Sequence, residues 1–132
     1  MKNSGSILVV DDESVIRQLL VRTISRAGYQ VSEAADGVEA LEYLARSHVD
    51  IVITDIKMPR MDGMDLLAEI RKQYPQITVV LITGHGSEYN AEAVLKAGAD
   101  YFITKPFKNT EIAPTLAALF HKREVREQAQ HD

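Results

Sequence analysis

The apolar residues of the chain fall into short β-branched runs that alternate with stretches of helical spacing. Ser6 to Val10 (SILVV), bounded by Gly5 and Asp11, has the length and composition of a strand buried on both faces. Val15, Ile16, Leu19, Leu20, Ile24 and Ala27 then make a helical stripe, which Gly28 stops. Tyr29 to Ala34 is half polar and predicts an edge strand; Val38, Leu41, Leu44 and Ala45 form the stripe of a second helix. Ile51 to Thr54 predicts a third strand. A turn-rich loop with Pro59 and Asp62-Gly63 leads into a third helix from about Asp65 to Tyr74, closed by Pro75. Thr78 to Ile82 is the fourth strand, and beyond Gly84-His85-Gly86 a fourth helix is expected from about Glu88 to Gly98. Tyr101 to Thr104 is the fifth strand. Asn109 or Thr110 is suited to cap the last helix, whose apolar positions are Ile112, Leu116, Leu119 and Phe120, with Pro114 near its tolerant start.

Five strands alternating with five helices over short loops call for an α/β fold: a doubly wound parallel sheet with helices on both faces. The 132 residues suffice for one domain. It is expected over residues 1–120, with the polar stretch 121–132 as a helix extension or linker. Hydrophobic residues at 45% and charged residues at 26% match a soluble globular chain and exclude disorder. The absence of cysteine removes thiol nucleophiles and iron–sulfur ligation and suits a reducing compartment. Apolar runs of four or five residues fall far short of the ~20 needed to span a bilayer. The start MKNSGS lacks the apolar core of a secretory signal. The expectation is a cytoplasmic protein without a membrane partner. A net charge of −4 and a pI near 5.5 argue against direct nucleic-acid binding by this chain.

Ligands of open parallel sheets bind beyond the carboxyl ends of the strands. There the order of elements gathers Asp11 and Asp12 after the first strand and Asp55 after the third. Thr83 follows the fourth, and Lys105 with Pro106 follows the fifth. Each alone has a plain structural role: a helix cap, a turn, a solvated lysine. Together they do not, because carboxylates brought close repel by up to about 4 kcal/mol per pair at an effective dielectric of about 20. Three negative charges and one positive charge leave a deficit that one divalent cation neutralises. All-oxygen ligation without cysteine favours Mg²⁺. A carboxylate beside a metal and a lysine is suited to accept a phosphoryl group, which makes Asp55 the candidate nucleophile and gives Asp11 and Asp12 to the metal.

Four segments carry a family resemblance: V-V-D-D-E at 9–13, I-T-D-I-K-M-P-R-M-D-G at 53–63, L-I-T-G-H-G at 81–86 and G-A-D-Y-F-I-T-K-P-F at 98–107. The chain resembles a bacterial two-component response-regulator receiver domain, a chemotaxis-regulator-like phosphoacceptor, from about Ile7 to Phe120. The resemblance implies a strand order of 2-1-3-4-5 and phosphorylation of Asp55 by a sensor histidine kinase, a histidine phosphotransfer protein or small acyl phosphates. It implies Mg²⁺ held by Asp12, Asp55 and the Lys57 backbone carbonyl, with Asp11 acting largely through water. Thr83 and Lys105 would bind the phosphoryl oxygens, and Lys105-Pro106 would be a cis peptide. Thr83 and Phe102 occupy the family's switch positions; many relatives have tyrosine where this chain has Phe102. Lys57 and His85 occupy positions that tune the lifetime of the phosphorylated state. The fourth helix, fifth strand and fifth helix would bind an output protein or a second copy. The chemistry would be self-directed, that of a switch rather than an enzyme.

The same residues oppose three rival readings. A small Mg²⁺-dependent phosphatase would want a second aspartate two residues after Asp55, where Lys57 stands. A flavodoxin-like cofactor module would want a phosphate cradle after the first strand, where Asp11 and Asp12 stand instead. A receiver-shaped domain without phosphorylation would have lost polar residues that are all present. Elsewhere His48, His121 and His131 read as solvated histidines, and Met58, Met61 and Met64 as flexible packing. Lys122, Arg123 and Arg126, alternating with Glu124 and Glu127, read as an exposed helix face.

Overall fold

Strand parity organises the molecule. In the computed structural model, which describes residues 5–84 and 89–131, five strands form one parallel sheet: β1 (Ser6–Val10), β2 (Gln30–Ala34), β3 (Ile51–Asp55), β4 (Thr78–Thr83) and β5 (Tyr101–Thr104). Their order is β2-β1-β3-β4-β5, so the chain winds outward from β1 in both directions. Successive side chains on a strand point to opposite faces. Ile7, Val9, Ile51, Ile53, Val80, Ile82 and Ile103 therefore pack on one side, against α1 (Ser14–Arg26) and α5 (Ile112–His131). Leu8, Val10, Val52, Val79 and Leu81 pack on the other, against α2 (Gly37–Leu44), α3 (Gly63–Gln73) and α4 (Ala91–Lys96). Both layers bury their apolar side chains almost completely, which is why β1, β3 and β4 read as unbroken β-branched runs.

The elements follow the expected order, with local differences. The polar β2 is indeed an edge. Asp12 does not cap α1: the cap position is Glu13, whose amide donates to Asp11 Oδ1 at 2.9 Å. Val15, counted in the apolar stripe of α1, is 77% exposed, because one residue further along the helix, at Ile16, is where contact with the core begins. Asp62 and Asp36 cap α3 and α2 through their carboxylates, accepting from Asp65 N and Glu39 N. In the described residues α4 begins only at Ala91, capped by Asn90, rather than at Glu88, which lies outside them. The last helix is entered through a 3₁₀ turn, Asn109–Glu111, so the cap position falls on Lys108 and not on Asn109 or Thr110.

Residues 121–131 continue α5 without a break. Arg123 anchors this stretch to the sheet, and it does not sit on a solvated face. Its guanidinium donates to Gln76 O and Thr78 Oγ1, both at 2.9 Å, and lies 3.4 Å from Asp50 Oδ1. Asp50 also accepts from Ser6 N and pairs with His48 Nε2 at 2.9 Å, so His48 is exposed but not unpaired. Burial pushes the Asp50 carboxyl up, but the Ser6 amide, His48 and Arg123 together outweigh it and hold the carboxyl below its usual range. Arg71 does the same work between α3 and β5: it bonds Gly98 O, Ile77 O and Asp100 Oδ2. No described helix is long and apolar enough to cross a membrane.

Candidate functional site

Val10 is in register with Thr54, so the next residue along each strand, Asp11 and Asp55, lie side by side at the carboxyl edge of the sheet. Both continue the parity of the α1/α5 face, as does Lys105, two residues beyond Ile103. The sheet therefore delivers two acids and a lysine to one corner, and Asp12 joins from the turn into α1. One carboxylate oxygen from each of Asp11, Asp12 and Asp55 lies within 4.8 Å of the others. Asp12 is exposed, whereas Asp11 is fully buried and Asp55 is 7% exposed.

Asp55 Oδ1 accepts from the Ile56 amide at 2.7 Å, and Oδ2 accepts from Lys105 Nζ at 3.0 Å. Lys105 also approaches Glu13 Oε1 at 3.6 Å and Asp11 Oδ2 at 3.9 Å. Burial alone lowers the lysine's proton affinity, but the Asp55 hydrogen bond and the surrounding carboxylates outweigh it and hold its pKa above the usual lysine value. Asp11 goes the opposite way for a carboxyl. Burial is the largest influence, opposed by the Glu13 amide and Lys105 and reinforced by Asp55 and Asp12, and its pKa is pushed up to about 6. Among the described residues its Oδ2 is the one buried side-chain oxygen without a hydrogen-bond partner.

An open cavity of about 450 Å³ lies over these groups, lined by Asp12, Glu13, Asp55, Ile56, Lys57, Gly84 and Lys105. Lys57 is exposed on its rim. The Lys105-Pro106 peptide is cis, and the Lys105 amide donates to Thr83 O at 2.7 Å, which ties the end of β5 to the end of β4. Thr83 is 6% exposed and shares its parity with Val79 and Leu81 on the α4 face. Phe102 is half-buried on that same face, in register with Leu81. His85 lies outside the described residues. Met58, Met61 and Met64 pack against the α2/α3 core, as expected. Glu13, to which the sequence pattern assigns no role, lines the cavity and lies 3.6 Å from Lys105 Nζ. Its place directly after Asp11-Asp12 at the mouth of α1 was the available signal.

The class defined by this geometry is a flavodoxin-like doubly wound domain with an acidic, lysine-bearing site at the carboxyl edge of the sheet. The family model described as the response regulator receiver domain matches residues 7–117, and the chain belongs to that family. The chain is 39% identical over 127 residues to the sensor kinase CckA of Brucella abortus (strain 2308), covering 94% of this chain and 13% of that protein. It is 38% identical over 116 residues to the response regulator MprA of Mycobacterium sp. (strain KMS), covering 88% of this chain and 50% of MprA. The chain thus spans half or less of the length of these curated relatives. Among solved structures, a response regulator receiver domain protein from Clostridium thermocellum superposes with a TM-score of 0.84 at 34% identity, covering 92% of this chain and 98% of that one.

Proposed function

We propose that this receiver domain accepts a phosphoryl group on Asp55 in a Mg²⁺-dependent reaction. The donor is a sensor histidine kinase or histidine phosphotransfer protein, and the phosphorylated domain changes conformation to control an output in the cytoplasm. The observation that carries this reading is the Asp55 carboxylate, held from one side by Lys105 and from the other by the Ile56 amide, at the floor of an open acidic cavity. A carboxylate oxygen of Asp55 attacks phosphorus as the bond from phosphorus to the donor's histidine nitrogen breaks; that nitrogen leaves with the electron pair. Lys105 is placed to follow the incoming phosphoryl oxygens, because its ammonium already sits at the oxygen they approach. Thr83 is the second group assigned to those oxygens. The chemistry is self-directed, with no separate substrate turned over.

The residues fit a divalent cation. Three carboxylates converge, and the Oδ2 of Asp11 is buried without a hydrogen bond, a cost that a cation or its bound water would offset. Asp12, Asp55 and the Lys57 backbone carbonyl would hold Mg²⁺ directly, with Asp11 acting through water. At such a site the ion supplies charge neutralisation on the phosphoryl oxygens and orientation of the donor.

A protein donor is supported by an apolar groove of about 330 Å³ lined by Ile16, Leu19, Lys105, Pro106 and Phe107, which shares Lys105 with the acidic cavity. On the opposite face we assign the switch to Thr83 and Phe102. The surface of α4, β5 and α5, where Leu95 and Tyr101 are about half exposed, is assigned to an output protein or a second copy of the chain. Lys57 and His85 are assigned to phosphoryl lifetime. The test is intact-protein mass spectrometry after incubation with acetyl phosphate and Mg²⁺. The wild-type chain should gain one acid-stable, base-labile phosphate, and Asp55→Asn should gain none. Phosphorylation of the Asp55→Asn variant under the same conditions would overturn the assignment.

A further inference from the structure

The loop between β3 and α3, residues 56–62, forms one wall of the acidic cavity and is fastened at its far side by a contact that the reading above does not use. Arg60 has a φ of +67°, and among the described residues it is the one non-glycine residue in that left-handed region. A residue with a Cβ keeps such a conformation only where its surroundings hold it there. Two contacts hold it: the Met61 amide donates to Pro59 O at 2.7 Å across Arg60, and the exposed Arg60 side chain meets Asp36. Arg60 Nε donates to Asp36 Oδ2 at 2.9 Å, and Nη2 lies 2.8 Å from the same oxygen. The side chain of Asp36 is only 9% exposed, and its other oxygen caps α2 by accepting from Glu39 N. One buried carboxylate thus joins the start of α2 to the tip of the loop.

The packing around this pair is tight. Gly37, the first residue of α2, lies so close to Met61 that a side chain there would collide with it. At the return of the loop the Gly63 amide donates to Ile56 O at 2.7 Å, and a methyl group on Gly63 would overlap the Asp55 carbonyl oxygen. The segment Ile56-Lys57 is therefore confined between Asp55 and Gly63, while Arg60, three residues beyond Lys57, fixes the outer end of the same short loop.

We propose that Arg60 is a positioning residue for the site: its ion pair with Asp36 clasps the β3–α3 loop to the first turn of α2 and so keeps the backbone at Lys57 in place against the acidic cavity. The proposal rests on the reading of that cavity as a Mg²⁺ site. Arg60 touches neither the cation nor Asp55. It acts by removing freedom from the loop that supplies a ligand, and losses of this kind lower metal affinity by about tenfold or more.

The test is Mg²⁺ titration of the full chain by calorimetry, beside thermal unfolding of each metal-free variant. Arg60→Gly removes the clasp yet adopts the left-handed conformation without strain, so it separates the two effects. Asp36→Asn keeps an oxygen for the Glu39 amide and removes the charge that Arg60 meets. Both should lower Mg²⁺ affinity by about tenfold, with little change in the Tm of the Arg60→Gly protein, and Arg60→Lys should recover part of the loss. The double variant Asp36→Asn/Arg60→Gly should lose no more than either single one. Asp12→Ala serves as the control for the site itself. If Asp12→Ala loses Mg²⁺ binding while Arg60→Gly binds as tightly as wild type, the clasp is refuted and the site stands. If the wild-type chain binds no Mg²⁺, both fall.

Discussion

Replacing Asp11 by asparagine should stabilise the metal-free protein, by an amount that depends on pH. The carboxyl is fully buried, its Oδ2 has no hydrogen-bond partner, and its pKa is pushed from 3.8 up to about 6, chiefly by burial. A rise of about two units corresponds to about 3 kcal/mol. The folded protein binds a proton that the unfolded chain has already released, so this stability is present below pH 3.8 and lost as pH rises through about 6. Asparagine has no charge to lose. It retains an oxygen for the Glu13 amide, and its neutral NH₂ takes the place of the unpartnered Oδ2, which lies 3.9 Å from Lys105 Nζ. With chelator present, urea denaturation should find the Asp11→Asn protein more stable than wild type by up to about 3 kcal/mol near pH 7.5. The advantage should fall to about half of that near pH 5. Saturating Mg²⁺ should reverse the order, because a ligand that binds only the folded state stabilises the chain that binds it more tightly. An advantage that is the same at both pH values, or a metal-free variant less stable than wild type near pH 7.5, would refute the argument.

Asp12→Ala should weaken Mg²⁺ binding more than Asp11→Ala, since Asp12 is exposed in the cavity and Asp11 is buried beneath it; calorimetric titration of the two variants checks this, and equal or reversed losses would count against it. Beryllofluoride, a mimic of the phosphoryl group, should shift the NMR resonances of residues 101–107, and an unchanged spectrum with the ion bound would remove Phe102 from the switch. Lys57→Ala and His85→Ala, loaded with phosphate and freed of donor, should each change the rate of decay followed by mass spectrometry. Wild-type rates in both and in the double variant would end that assignment.

Local chemistry made the elements legible. Gly28 and Pro75 mark the ends of α1 and α3 within a residue or two, because backbone freedom and a missing amide act where they stand in the chain. The five polar groups at the strand ends were legible for the same reason, each standing within two residues beyond a run read as a strand. The order of the strands was not: hydrophobic spacing states which face a residue takes, never which strand lies beside it, and only the family resemblance supplied that. Arg123 and the pair of Asp36 with Arg60 escaped because their partners lie 45 to 73 residues away for the one and 24 for the other. In sequence they are indistinguishable from solvated charges. Val15 escaped because a helical stripe fixes a face only to within about one residue at its first turn.

The parity of β5 divides the molecule into two territories. Lys105 belongs to the side of the sheet occupied by α1 and α5, and Phe102, three positions earlier, to the side occupied by α4. Thr83 shares the α4 side with Phe102, so of the two side chains assigned to the phosphoryl oxygens one stands in each territory. The sheet between them is a partition one strand thick, and the bond from the Lys105 amide to the Thr83 carbonyl closes its edge between β5 and β4. A scaffold built this way can vary the exposed surface of α4 while Asp11, Asp55 and Lys105 keep their places on the other side of the sheet.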